Sequence, residues 1–479
     1  MIKYYWTRYL AVYPDVLLYM LQDTEYRLDR YLAWYHRTDD FRRVMKRRKL
    51  KLTQKVKLLR ATLWLMWCVL IAAIAVSVYF GNMTQNYVWG LIGLGIITML
   101  PFVLAYGIVI PLLIGRVLIQ APRERALIAS ASKIFETHAG RHIAIAGSFG
   151  KTTAKEILAT VLSEGLSVAA TPGNMNTPIG ISRFARRLTG KEEVLIVELG
   201  EERAGDVARL AKLTRPDMGV ITGINEAHLQ SFRTLDRTVG AIFELVDYLG
   251  SRPVYKNRAN TLVAEHTAKD DPYLFDAHGA NGWVVSEIKT SLHGTTFVVS
   301  KGDKKIHAHT KLVGLQTIGI TIAAIAIADE LGLSAKQITA GLAKVEPFEH
   351  RMQPRELHGA WIIDDTYNGN SDSVRDGLKF LKSVDAKRRI YVTPGLVEQG
   401  SKTEEVHNTI GRQAAKSANM VVLMKNSVTD YIVNGLKKAD FKGELLIVED
   451  PLEFYTNLEH FIAAGDVVLM QNDWTDNYA

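Results

Sequence analysis

Two apolar runs make the first division of the chain. Ala61 to Phe80, ATLWLMWCVLIAAIAVSVYF, is twenty residues without a charge, and Tyr87 to Gly115 is a second uncharged run of 29 residues. About twenty consecutive apolar residues in a helix reach across the hydrocarbon core of a bilayer. The pattern predicts a transmembrane hairpin over 61–116, with spans at 61–80 and 87–115. The link GNMTQN is uncharged, whereas basic residues flank both outer ends, so the positive-inside rule predicts a cytoplasmic location for both ends. Sixty residues precede the first run, which argues against a cleavable signal peptide.

Residues 1–40 contain ten aromatics, among them Tyr4, Tyr5, Trp6, Trp34 and Tyr35. Alternation such as YMLQDTEYRLDRYLAW suits amphipathic helices that lie on a membrane face or pack on the soluble part; a helical core rich in tyrosine gives the same pattern. Residues 1–60 thus form an aromatic and basic N-terminal segment.

From about residue 126 short apolar runs alternate with helical stretches, the pattern of an α/β domain with a mainly parallel sheet. HIAIAG (142–147), VLIVELG (194–200) and MGVITGI (218–224) predict buried strands, and TTAKEILATVLSEG a helix after the first of them. GLQTIGITIAAIAIADELGL (314–333) predicts a buried helix rather than a third span, because Asp329 and Glu330 interrupt it. A second unit begins near Phe348: WIIDD, RIYVTPG, MVVLM, ELLIVED and VVLMQ alternate with helices, a five-strand doubly wound pattern. PFEHRMQP, with two prolines, is the expected hinge. The predicted fold class is therefore α/β, with a P-loop-type central domain (126–347) and a C-terminal doubly wound, Rossmann-like domain (348–479), preceded by the two-helix hairpin. An active site between the last two is the default expectation.

Composition narrows the function classes. A single cysteine, Cys68, excludes an internal disulfide and a Cys-based zinc site, and suits a reducing compartment. A net charge of +8 raises the question of nucleic acid. Residues 41–60, however, hold ten Lys or Arg and no acid, which alone exceeds that excess. The run suits anionic membrane lipids, and no nucleic-acid partner is expected.

The candidate chemistry starts at AIAGSFGKTTAKEIL (144–158). Gly147, Ser148, Gly150, Lys151, Thr152 and Thr153 form a shortened phosphate loop between a strand and a helix. Glycines let backbone N–H groups converge on phosphate oxygens, and the helix adds its positive N-terminal end. Lys151 suits the β- and γ-phosphates of ATP, and the Thr152 hydroxyl suits Mg²⁺. Glu198, closing a buried strand, and His228, in INEAHLQSF, are candidate partners for the metal. Alone, each is more often structural. His307 and His309 share one strand face with no third ligand nearby and read as a solvated strand.

GSFGKTT, TPGNMNTPIGI (171–181), VELGEERAGDV (197–207), INEAHLQSF (224–232) and IDDTYNGNSDSV (363–374) occur in the order seen in Mur ligases. The resemblance covers roughly residues 140–475 and is greatest to the branch that adds D-alanyl-D-alanine in peptidoglycan synthesis. It implies an ATP-dependent amide ligase working through an acyl phosphate, with a carboxylate-bearing peptide or muramyl peptide, free or lipid-linked, and an amino acid or dipeptide amine as substrates. By motif match, Lys151, Glu198 and His228 are catalytic, and Thr152, Glu198 and His228 hold Mg²⁺. Asn174, Asn176 and Thr177 line the substrate carboxylate, and Asn257 contacts the adenine. Arg351, Asp365, Tyr367 and Asn368 reach ATP when the C-terminal domain closes.

Three positions depart from the family pattern. Ile242, in VGAIFELV, stands where many members carry a carbamylated lysine that bridges a second Mg²⁺. The membrane hairpin stands in place of the domain that grips the nucleotide sugar. The ending VVLMQNDWTDNYA differs from the Lys-Gly-Ser-Arg style of the cell-wall enzymes. A poly-γ-glutamate-type peptide ligase and a non-catalytic nucleotide-binding scaffold are the alternatives.

Overall fold

The computed structural model describes residues 2–24, 26–42, 44, 50–173, 175–225, 232–367, 369–396 and 399–472. The chain divides into two compact units, Met1–Ala126 and Leu127–Ala479.

The first unit is helical. A 3₁₀ segment, Ile2–Tyr9, precedes α1 (Tyr13–Asp23), α2 (Leu28–Arg37), α3 (Gln54–Thr84) and α4 (Tyr87–Gly107). α3 starts before the apolar run because Thr53 caps it, its hydroxyl accepting from Val56 N at 3.3 Å. α4 carries Pro101, which has no N–H and so leaves Ile97 O without its helical donor. The Tyr9 hydroxyl donates to that oxygen at 3.1 Å, and those of Tyr5, Tyr13 and Tyr31 donate to Thr98 O, Pro101 O and Ala105 O at 3.1, 3.0 and 3.1 Å. Tyr13, Tyr31, Tyr35 and Phe41 are buried with Leu59, Leu63, Leu100 and Leu104 in one cluster. The aromatic segment therefore forms a tyrosine-rich helical core with the two apolar helices. Elsewhere those helices turn apolar side chains outward, including Leu65, Val69, Val76, Leu91, Leu94 and Met99. Two helices, Gln54–Thr84 and Tyr87–Thr137, are long and apolar enough to cross a membrane.

The second unit holds two sheets. The first contains β1 (Arg141–Ala146), β2 (Val168–Ala170), β3 (Val194–Glu198), β4 (Met218–Ile221), β5 (Val254–Asn257), β6 (Leu274–Asp276), β7 (Gly279–Ala280), β8 (Trp283–Ser291), β9 (Gly294–Lys301) and β10 (Lys304–Thr310). Their order is β10-β9-β8-β7-β6-β5-β4-β1-β3-β2. β2 to β6 together with β1 run parallel, and β7 to β10 extend the sheet antiparallel. Apart from the strand of His307 and His309, the apolar runs do not mark that extension, whose strands carry fewer continuous apolar residues because one face is solvated. His307 and His309 point outward there, alternating with buried Ile306, Ala308 and Thr310, as the alternation predicts.

On one face of this sheet the helix Lys151–Leu162 buries Ile157, Leu158 and Val161 against the helix Ile318–Glu330, which is buried almost throughout. That burial agrees with the expected core helix. The other face packs the helices Asp206–Thr214 and Leu235–Leu249, with Phe135. Ile242 lies fully buried in that apolar layer.

The second sheet contains β11 (Gln353–Leu357), β12 (Ala360–Asp365), β13 (Arg388–Thr393), β14 (Met420–Met424), β15 (Glu444–Val448) and β16 (Asp466–Gln471), in the order β11-β12-β16-β13-β14-β15. Five strands are parallel as the pattern predicts; β11 is an added antiparallel edge that begins inside the expected hinge.

Candidate active site

β1 lies between β3 and β4, so the loop after it opens at the carboxyl edge of the parallel strands, where α/β sheets take ligands. Gly147 has φ +144°, and a Cβ there would come within 2.3 Å of Thr222 Oγ1. Gly150, with φ +75°, caps the helix that begins at Lys151. Both positions therefore require glycine, and Ser148 N is tied to Gly223 O at 2.7 Å. The Ser148 hydroxyl is buried without a protein partner, and Thr153 is half-buried one turn into the helix.

Register brings the acid to the loop. Ile145 of β1 pairs with Glu198 of β3, so the Glu198 carboxylate ends beside the helix start. Thr152 Oγ1 donates to Glu198 Oε2 at 3.0 Å, and Asn176 Nδ2 donates to Oε1 at 3.1 Å. The nearby Thr177 hydroxyl caps the helix Pro178–Ala185 by accepting from Gly180 N at 3.2 Å. A hydroxyl oxygen and a buried carboxylate at this spacing are a donor set suited to a hard divalent cation. His228 lies outside the described residues, as do Asn174 and Asn368.

Two charged groups that the sequence reading passed over complete this layer. Glu201 receives Lys151 Nζ on both carboxylate oxygens at 2.9 Å, and Lys151 also donates to Gly147 O. Burial, and secondarily the charge of Glu198, pushes the Glu201 carboxyl up to about 7 against the pull of Lys151. Lys155, fully buried one helical turn after Lys151, donates to Gly173 O and lies 3.3 Å from Glu156 Oε1 and 3.5 Å from Glu198 Oε2. Its position four residues after Lys151, on the face that carries Ala154 and Leu158 into the core, was the available sign.

Asn257 ends β5 on the same sheet edge. Its Nδ2 donates to Thr222 O at 2.7 Å and its Oδ1 accepts from Ala259 N at 3.1 Å. The candidates from the C-terminal domain form a separate group. The Arg351 guanidinium lies 4.5 Å from the centre of the Tyr367 ring, a residue that is 40% exposed. Asp365 is turned into its own domain, accepting from Met352 N at 3.1 Å and Gln471 Nε2 at 2.8 Å, and burial pushes its carboxyl up to about 7. Lys151, Thr152, Asn176 and Glu198 thus meet in one constellation; Arg351 and Tyr367 meet in another.

Residues 145–328 match the Mur ligase middle domain, and residues 350–471 match the Mur ligase, glutamate ligase domain. The chain is 28% identical over 286 residues to the UDP-N-acetylmuramoyl-tripeptide--D-alanyl-D-alanine ligase of Escherichia coli (strain K12), covering 58% of this chain and 63% of that protein. It is 23% identical over 342 residues to the Bacillus subtilis (strain 168) enzyme of the same name, covering 69% and 72%. The alignment with the Escherichia coli relative thus spans less than two thirds of that protein's length. Similar folds include the MurF ligase of Thermotoga maritima in complex with ADP (TM-score 0.64, 24% identity, 73% of this chain and 80% of that one). Another is MurF from Acinetobacter baumannii (TM-score 0.64, 23% identity, 73% and 77%).

Proposed function

This chain belongs to the Mur ligase family, and on that premise we propose that it is an ATP-dependent ligase that joins a peptide carboxylate to an incoming amine. The acid is a muramyl-peptide type substrate and the amine D-alanyl-D-alanine, as the names of its relatives suggest. The observation that carries the reading is the convergence of Lys151, Thr152, Asn176 and Glu198 at the left-handed glycine loop.

A carboxylate is a poor electrophile until it bears a good leaving group. Its oxygen attacks the γ-phosphorus of ATP, ADP leaves, and the amine then attacks the acyl phosphate to give an amide and phosphate. The loop's backbone N–H groups and the helix N-terminus hold the phosphates, and Lys151 neutralises charge as the phosphoryl group moves. By motif match, Asn176 and Thr177, with Asn174, would bind the substrate carboxylate, and Asn257 the adenine. Arg351, Tyr367 and Asn368 would reach ATP from the C-terminal domain, where Asp365 is held by Met352 N and Gln471 Nε2. Closure excludes the water that would hydrolyse the acyl phosphate. Thr152, Glu198 and His228 are the residues that would hold Mg²⁺, which when bound supplies further neutralisation at the phosphates.

We place the enzyme at the cytoplasmic face of a membrane, anchored by α3 and α4. Their outward apolar side chains and the basic run before them support this. The same outward apolar faces motivate a lipid-linked or membrane-proximal acid substrate. Buried Ile242 favours a second reading, a nucleotide-binding scaffold without turnover. The test is ADP release by the detergent-purified full-length protein, with nucleotide-linked or lipid-linked muramyl tripeptide and D-alanyl-D-alanine. Turnover needing both partners and lost in Lys151→Ala is expected, faster with the lipid-linked donor. ADP release undiminished in Lys151→Ala would refute the site, equal rates with both donors would refute the lipid preference, and nucleotide binding without turnover would favour the scaffold.

A further inference from the structure

The Lys151 ammonium has three N–H donors, and the protein takes all three. Two go to the oxygens of Glu201, each at 2.9 Å, and one to Gly147 O. The Glu201 side chain is 1% exposed, and the Lys151 ammonium is its ion-pair partner. In this arrangement no donor of Lys151 is left for a phosphate oxygen.

We propose that Glu201 is a positioning residue that holds Lys151 off the nucleotide's phosphates, so that nucleotide binding must displace it and thereby depends on a divalent cation. This rests on the reading of Lys151 as the phosphate lysine. When Lys151 turns to phosphate, the buried Glu201 carboxyl loses its ion-pair partner while Glu198 stays a neighbour of like sign, so the move has a cost that the intact pair does not. A divalent cation held between Thr152 and Glu198 offsets that cost; without one, the nucleotide competes against the intact pair. The sequence run VELGEERAGDV hides this role, because Glu201 is one of four acids in it and nothing in the local pattern singles it out.

The experiment measures ADP affinity of the detergent-purified full chain by calorimetry, in Mg²⁺ and in EDTA. Glu201→Gln removes the charge and keeps the shape. It is expected to tighten metal-free ADP binding by about tenfold or more, the worth of a charged hydrogen-bonded pair, and to shrink the ratio between the Mg²⁺ and EDTA affinities. Glu201→Asp retains the charge and is expected to keep the wild-type ratio. Metal-free affinity that is unchanged or weaker in Glu201→Gln overturns the clamp, as does a Glu201→Asp protein that behaves like the Gln variant. Thermal melts of each variant identify folding loss, and Glu201→Ala replaces the Gln variant should that one not fold. Lys151→Ala tests the underlying reading separately: undiminished ADP binding there overturns the nucleotide site itself, whatever Glu201 does.

Discussion

Lys155 gives the sharpest energetic test of the buried charge layer. Lys155→Met keeps most of the side-chain volume and removes the ammonium. In the native chain that ammonium is fully buried, bonded to Gly173 O and 3.5 Å from Glu198 Oε2. Glu198, itself 2% exposed, would keep its bonds from Thr152 and Asn176 but lose its nearest cation. Removing one partner of a buried ion pair costs roughly 3–5 kcal/mol. The bonds from Thr152 and Asn176 are present with or without Lys155, so the full cost of roughly 3–5 kcal/mol is expected. At roughly 2–4 °C per kcal/mol for a domain of this size, the unfolding midpoint should fall by about 6–20 °C. The assay is intrinsic-fluorescence melting of the detergent-purified chain at one scan rate, for Lys155→Met, Glu198→Gln and the double variant. The cost of Lys155→Met should shrink by at least about 1 kcal/mol in the Glu198→Gln background, where no carboxylate is left stranded. Equal costs in both backgrounds would refute the coupling, and the loss would then belong to the Gly173 contact alone.

Two further outcomes concern groups outside the candidate site. Glu192 accepts from Thr189 N, Thr189 Oγ1 and Gly190 N, each at 2.9 Å, and these bonds, against the opposing effect of burial, hold its carboxyl down at about 2. A depressed folded value stabilises above the unfolded one and is lost as pH falls, so the melting midpoint should drop between about pH 4.5 and 2, with a shallower slope in Glu192→Gln. In the helical unit, Tyr13→Phe strips the donor from Pro101 O and the partner from the Tyr35 hydroxyl at 3.2 Å. A loss of about 1–3 kcal/mol is expected, read as a lower melting midpoint in detergent; an unchanged midpoint would show that the Tyr13 hydroxyl adds nothing at Pro101 O.

The parts of this protein that its sequence determined are those governed by neighbours along the chain. Period-two alternation exposed His307 and His309, continuous apolar runs marked β1, β3 and β4, and the uncharged stretches marked α3 and α4. Gly147, Gly150, Lys151 and Thr152 were legible for the same reason: a loop that cradles phosphate is built within a few residues, and its backbone angles demand glycine. Thr152 and Glu198 could be suspected of meeting, but the parallel register of Ile145 with Glu198 is what brings them to 3.0 Å. Glu201 was not legible, and Lys155 only through its place on the core face of its helix, because a charge reads as a solvated face until the fold buries it and supplies its partner. The same limit applied to the tyrosines of residues 5–31, whose hydroxyls find α4's carbonyls across 74 to 93 positions of chain. Local periodicity fixes what each segment is; only packing between distant segments decides which buried charge or hydroxyl faces which partner.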